Sequence, residues 1–152
     1  MLKKYLGLRG LVWFICVYHV TAGVLLNSPK EWIAAVAKWS FGNMTLTGDP
    51  GMYFFLRPLG VYLIIFGIMM GIAAWNPMKN RALITVGVIL FALRIVQRIM
   101  TAGEFQSLFG LSQARNTVMI LIVAVFGVAL AWFRFQLYRD MHGGTPPSSA
   151  DA

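Results

Sequence analysis

LRPLGVYLIIFGIMMGIAAWNP, residues 56–77, opens a segment with no charged side chain between Arg57 and Lys79. At 1.5 Å per helical residue, an apolar run of this length crosses the roughly 30 Å of a bilayer's hydrocarbon core. Asn76 and Pro77 then stop the helix, and Lys79 and Arg81 turn the chain back through a short basic loop. The next run, RALITVGVILFALRIVQRI at residues 81–99, has the same character. A membrane hairpin is expected here, with one span at about 53–75 and the next at about 82–100.

Two further blocks extend the pattern. Residues 6–26 follow Lys3 and Lys4 and hold only Arg9 as a charge, and residues 116–133 hold none. The whole chain has 152 residues, 59% hydrophobic and 12% charged, with a mean hydropathy of +0.71. Soluble proteins average about half apolar and a quarter charged, so lipid is the expected solvent. The expected fold class is all-α, a four-transmembrane-helix bundle forming a single domain over residues 1–142. A small, polar, proline-rich tail, GGTPPSSADA, follows at residues 143–152 and is expected to be disordered on the cytoplasmic side.

The first span also resembles a signal peptide, with Val20 and Ala22 at small-residue positions before a notional cut. Trp13, Phe14, Tyr18 and His19 fit such a core poorly, and apolar Leu25 and Leu26 follow the cut. An anchored first helix is the expectation. The connection after it is not structureless: Ser28, Pro29 and Glu31 spell an N-cap, a first-turn proline and a capping-box acid. Trp32, Ile33, Val36 and Trp39 recur at helical spacing, so a short interfacial helix at about 29–41 is expected, with tryptophan at headgroup level. Gly42, Asn43, Gly48, Asp49, Pro50 and Gly51 mark a turn-rich return. Ser112 is placed to cap the last span.

Lysine and arginine near span ends set orientation. With the N-terminus inside, the inner side holds Lys3, Lys4, Arg9, Lys79, Arg81, Arg134 and Arg139; the outer connections hold Lys30 and Lys38 against Glu31, Asp49 and Glu104. Both termini are therefore expected to be cytoplasmic, and the membrane is read as a bacterial inner membrane. The net charge of +8 is accounted for by this topology, and no nucleic-acid partner is expected, since no basic stripe exists outside the span ends.

Four arginines fall in the outer half. Arg94 and Arg98 lie toward the end of span three, and Arg57 and Arg115 open spans two and four. His19, counted along span one, reaches a height of about 20 Å, close to that of Arg94. A guanidinium in mid-bilayer costs at least a few kcal/mol, so such groups are expected to face the bundle interior or a wet cavity. Gln97 and Asn116 are candidates to join them. The candidate anion or ligand pocket is thus His19, Arg57, Arg94, Gln97, Arg98, Arg115 and Asn116. Six positive charges on this side outnumber three acids, which favours an anion. Snorkelling of the arginines to headgroups and to Glu31, Asp49 and Glu104 is the alternative. Gly60, Gly67, Gly71 and Gly87 are expected to serve close helix packing.

Other chemistries lack their residues. No carboxylate lies inside a span, which removes the usual acid relay of proton-coupled pumps. His142 falls beyond the last span, so a haem held by two histidines is excluded. No Cys, His and acid cluster suits zinc, and no nucleophile motif or phosphate-binding loop is present. Cys16 is the only cysteine, so no internal disulfide can form. No catalytic residue, metal or resident cofactor is expected, although a quinone or bound lipid fits the pocket. Its expected partners are membrane lipids and a larger membrane complex.

In layout, with arginine-led spans, a longer first outer connection and the Asn76–Pro77 turn before a basic inner loop, the chain resembles the small DoxX-like membrane proteins. The resemblance rests on "LRPLGVYLIIFGIMMGIAAWNP" and "RALITVGVILFALRIVQRI". It implies a compact four-helix membrane protein, in some members associated with quinone-reducing respiratory or sulfur-oxidising systems. It assigns no site residue. The expected function is a non-enzymatic accessory subunit or small-molecule binding component. The alternative is a membrane redox or transport component handling a quinone-like or anionic substrate.

Overall fold

The computed structural model describes residues 5–41, 50–104 and 112–142. The turn-rich return expected at 42–49, the connection at 105–111 and the tail at 143–152 lie outside the described residues. The elements are α1 (Leu6–Leu26), α2 (Lys30–Phe41), α3 (Pro50–Trp75), α4 (Arg81–Met100) and α5 (Gln113–His142). Four segments, Leu6–Leu26, Leu56–Trp75, Arg81–Met100 and Gln113–Asp140, are long and apolar enough to cross a membrane. The chain is an all-α integral membrane protein built as a four-helix bundle, with α2 as the short helix of the first connection.

Backbone contact is concentrated between α1 and α3, and glycine makes it so. A Cβ at Gly23 would stand 2.5 Å from the Gly60 carbonyl oxygen and 2.9 Å from the Ile64 nitrogen; one at Gly67 would stand 2.9 Å from the Cys16 oxygen. Lower on the same seam, a Cβ at Gly71 would lie 3.0 Å from the Cys16 sulfur. Only residues without side chains allow two helix backbones this close, which is how helices bind one another where lipid supplies no hydrophobic drive. Cys16 is a buried free thiol within that seam. The second intimate pair is α4 with α5, where Gly87 faces Leu130 and Gly127 faces the Phe91 side chain. Between the two pairs the backbones stay further apart, and side chains fill the gap.

The apolar core occupies one half of the bundle. Leu8, Val12 and Ile15 from α1, Met70, Ala73 and Ala74 from α3, Ile84 and Phe91 from α4, and Leu130 and Leu137 from α5 are buried in a single cluster. Hydrogen bonds lace the same end: Arg9 Nε donates to the Ala74 carbonyl at 3.1 Å, and Arg134 Nε to the Thr85 hydroxyl at 2.9 Å. The α3–α4 turn is closed by Asn76, whose Oδ1 accepts from the Lys79 N–H at 3.1 Å, and by Asn80, whose Nδ2 donates to the Ile72 carbonyl at 3.1 Å. Ser28 departs from its expected capping role. Its hydroxyl donates backward to the Val24 carbonyl at 3.0 Å, because the last turn of α1 offers an unsatisfied acceptor one helical turn away. Ser112 Oγ, by contrast, accepts from the Arg115 N–H at 3.4 Å.

Tyr5, just before α1, donates its phenol proton to Asp140 near the end of α5, at 2.5 Å. The two ends of the described chain therefore lie together at the core end. The bond to Asp140 raises the Tyr5 phenol above its usual value of 10.0, with burial and the Asp140 charge adding to the rise. A raised phenol contributes stability that is complete below about pH 10 and is lost as pH climbs through the higher folded value. Tyr5→Phe is expected to cost about 0.5–1 kcal/mol at neutral pH and to flatten the alkaline limb of the stability curve. Following unfolding and tyrosinate absorbance together from neutral to strongly alkaline pH measures both effects.

Candidate functional site

Above Phe66 and Phe91, the composition of the interior changes from apolar to polar. His19 stands at this boundary, 2% exposed, about 20 Å along α1 from Leu6. Its Nδ1 lies 2.8 Å from the Ile15 carbonyl oxygen. A carbonyl can only accept, so Nδ1 carries a proton, and the neutral ring keeps a lone pair on Nε2. That Nε2 is buried and has no hydrogen-bond partner. The ring is held edge-on by Phe66 at 4.8 Å, Tyr18 at 5.2 Å and Phe91 at 6.2 Å between centroids.

The polar neighbours come from α4 and α5. Arg94 and Arg98 are one helical turn apart and half-buried, on the face that Gly87 and Phe91 continue into the core. Phe91, three residues before Arg94, packs its ring on His19 at 6.2 Å between centroids. Arg98 donates from its guanidinium to Asn116 Oδ1 at 2.9 Å. Asn116 is 5% exposed and ties α5 to α4 at this level. Among the described residues the Arg94 guanidinium has no hydrogen-bond or ion-pair partner. No Asp or Glu occurs in α1, α3 or α4, and the only acid in α5, Asp140, bonds Tyr5 at the opposite end.

Of the residues read from the sequence as one pocket, the structure gathers His19, Arg94, Arg98 and Asn116. Arg57 is placed elsewhere: it is exposed and lines an open groove of about 500 Å³ with Asn27, Phe54, Pro58, Val61 and Tyr62. His19 and the other arginines do not line that groove. Gln97 and Arg115 are exposed on their helices. Gly60 and Gly67 are buried and Gly71 partly so along the α1 seam, and Gly87 is buried against Met70 and Leu130. The aromatic walls, Tyr18 and Phe66, had a faint signal in the sequence. Tyr18 adjoins His19, and Phe66 lies six residues beyond Gly60, one short of two full turns, on the flank of the glycine face.

A second aromatic group guards the seam between α1 and α5. Phe14 stacks on Phe126 at 5.4 Å and on Tyr18 at 6.5 Å. Phe14 and Tyr18 remain about half exposed on the outside of α1. The polar cluster is thus separated from lipid on that side by rings.

In donor and acceptor terms, Arg94 supplies unengaged N–H groups, Arg98 and Asn116 a fixed polar wall, and His19 one acceptor. A single imidazole is not a metal centre, and among the described residues no three His, Cys, Asp or Glu side chains gather around a point. Compared with protein families, with curated proteins and with solved structures, the chain matches none.

Proposed function

We propose that this protein is a non-enzymatic intramembrane binding component that holds the polar head of a lipid-soluble, anionic or carbonyl-bearing molecule at Arg94, Arg98, Asn116 and His19. The observation that carries the reading is Arg94: a half-buried guanidinium inside a span, without a partner among the described residues, on the helix whose Phe91 packs against His19, a buried residue whose Nε2 also lacks a partner. Unpaired intramembrane charge is expensive, and in spans it marks ligand or ion sites. The lysine and arginine asymmetry supports placing the Tyr5–Asp140 end in the cytoplasm of a bacterial inner membrane, with the arginine cluster toward the outer leaflet. A small intramembrane binding component of this kind fits the role of accessory subunit in a larger membrane assembly.

A second reading takes the same donors as hydrogen-bonding a quinone carbonyl, in a DoxX-like redox or transport component. Purification in mild detergent separates the two. An accessory subunit brings down stoichiometric partner proteins, whereas the second reading requires a quinone extractable from the isolated chain.

The common test is retention of an amphiphile, quantified by mass spectrometry of the protein in lipid nanodiscs. Arg94→Ala is expected to lower retention about ten- to hundredfold, the weight of a charge-assisted hydrogen bond. Lys79→Ala, in the α3–α4 turn, is expected to leave it unchanged. Equal effects would reduce the site to general surface charge and end the proposal.

A further inference from the structure

We infer that the molecule held by Arg94 presents a hydroxyl proton beside its anionic oxygen, and that the chemistry this defines is a singly protonated phosphate monoester. This rests on the binding role proposed for Arg94 and adds the chemical class of the head. His19 supplies the argument. Its Nδ1 proton is committed to the Ile15 carbonyl at 2.8 Å, so Nε2 of the neutral ring can only accept. That atom is enclosed, on a residue 98% buried by its 2% exposure, and has no partner. A buried acceptor left unsatisfied costs about 1–3 kcal/mol, and an O–H donor removes that cost.

The other half of the recognition is electrostatic. His19 packs against Phe91 of α4 at 6.2 Å between ring centroids, Arg94 and Arg98 follow Phe91 on that helix, and the three spans that carry His19, Phe66 and Arg94 contain no acid. Guanidinium pairs with oxyanions, and with phosphate oxygens in particular. A head that carries an O–H and an O⁻ within one small group answers both. A carboxylate carries no proton when it is an anion, and a phosphodiester has lost its hydroxyl. A phosphate monoester at its first ionisation state carries both on one phosphorus, with a second pKa of about 6.

Entry does not require the glycine seam to part. The α1–α3 and α4–α5 pairs meet through side chains, and the α1–α5 side is closed by the Phe14, Tyr18 and Phe126 rings. Phe14 and Tyr18 are about half exposed, so rotamer changes open a lateral way to His19 from the lipid phase while the close-packed backbones stay in place.

The test uses the full chain in phosphatidylcholine nanodiscs at about pH 6, where roughly half of a phosphate monoester is singly protonated. With only two histidines in the sequence, ¹⁵N-histidine labelling plus His142→Gln isolates the His19 resonances. Phosphatidic acid is compared with phosphatidylmethanol, which has the same anionic phosphorus without the hydroxyl, and with inorganic phosphate. The expected result is that phosphatidic acid moves Nε2 from the free-acceptor to the hydrogen-bonded range. It should also be retained about tenfold better than phosphatidylmethanol, the weight of one hydrogen bond.

His19→Phe is expected to erase that preference while Arg94-dependent retention of both lipids persists, and His19→Gln, whose side-chain carbonyl accepts, is expected to restore it. Inorganic phosphate producing the same Nε2 shift identifies a soluble phosphate as the source, and a response to phosphatidic acid alone identifies a lipid. Equal retention of the two lipids with an unmoved Nε2 resonance overturns the inference and leaves the binding role of Arg94 standing. Retention indifferent to Arg94→Ala overturns that role, and a resonance unmoved by both phosphatidic acid and inorganic phosphate sinks the inference even if His19→Phe fails to fold.

Discussion

Gly23→Ala is expected to destabilise the bundle by about 2–3 kcal/mol, the upper range for forcing an extra group into a packed interior. The added Cβ would stand 2.5 Å from the Gly60 carbonyl oxygen and 2.9 Å from the Ile64 nitrogen. Both are backbone atoms in a regular helix, so neither can swing aside as a flexible side chain could. The two helices must separate along the seam, and Gly67 and Gly71 lose their contacts with Val20 and Cys16 together. Gly10→Ala is the matched control: it lies on the same helix, with nothing within 4 Å of its added Cβ. Away from any contact, alanine is preferred to glycine in a helix by about 0.5–1 kcal/mol, so that variant should be neutral or slightly stabilised. Unfolding in mixed micelles, followed by tryptophan fluorescence, reads both. Equal stability of the two variants would mean that the seam is not close-packed.

Arg94→Leu is expected to shift stability the other way. A guanidinium at the bilayer centre costs about 3 kcal/mol on the insertion scale; at the height and half-burial of Arg94, about 1–2 kcal/mol of that is expected to remain. Replacing it by leucine should raise the unfolding free energy of the ligand-free protein by that amount while abolishing amphiphile retention. Stability and binding would then move in opposite directions at one position, which a purely structural arginine does not produce. Lys79→Leu, on the exposed turn, supplies the comparison and should change neither. A loss of stability in Arg94→Leu would show the guanidinium to be a structural tie, and the binding role would fall with it.

The spans were legible because hydropathy and length are local properties. The uninterrupted run between Arg57 and Lys79 and the Asn76–Pro77 stop need no knowledge of the rest of the chain. The glycine stripe was legible as a stripe; that Gly60 meets Gly23 while Gly87 meets Leu130 and Met70 depends on which helices become neighbours, and no local pattern encodes that. Arg94 and Arg98 could be placed on one face by their four-residue spacing. Arg57 could not be separated from them by height alone, since height says nothing about the angle around the bundle at which a side chain emerges. The Tyr5–Asp140 and Arg134–Thr85 bonds join residues far apart in sequence and left no trace. Ser28 shows the same limit at short range, because a hydroxyl between two helices can serve either one.

The pairing of α1 with α3 and of α4 with α5 bears on how the chain is made. During synthesis the first two long helices can dock as soon as both have left the translocation machinery, since their glycine seam needs nothing from later residues. The second pair joins afterward and brings Arg94, Arg98 and finally Asn116. The surroundings of His19 are therefore completed by the last helix to enter the bilayer, so a molecule bound there would either be enclosed at that step or pass later between the Phe14, Tyr18 and Phe126 rings.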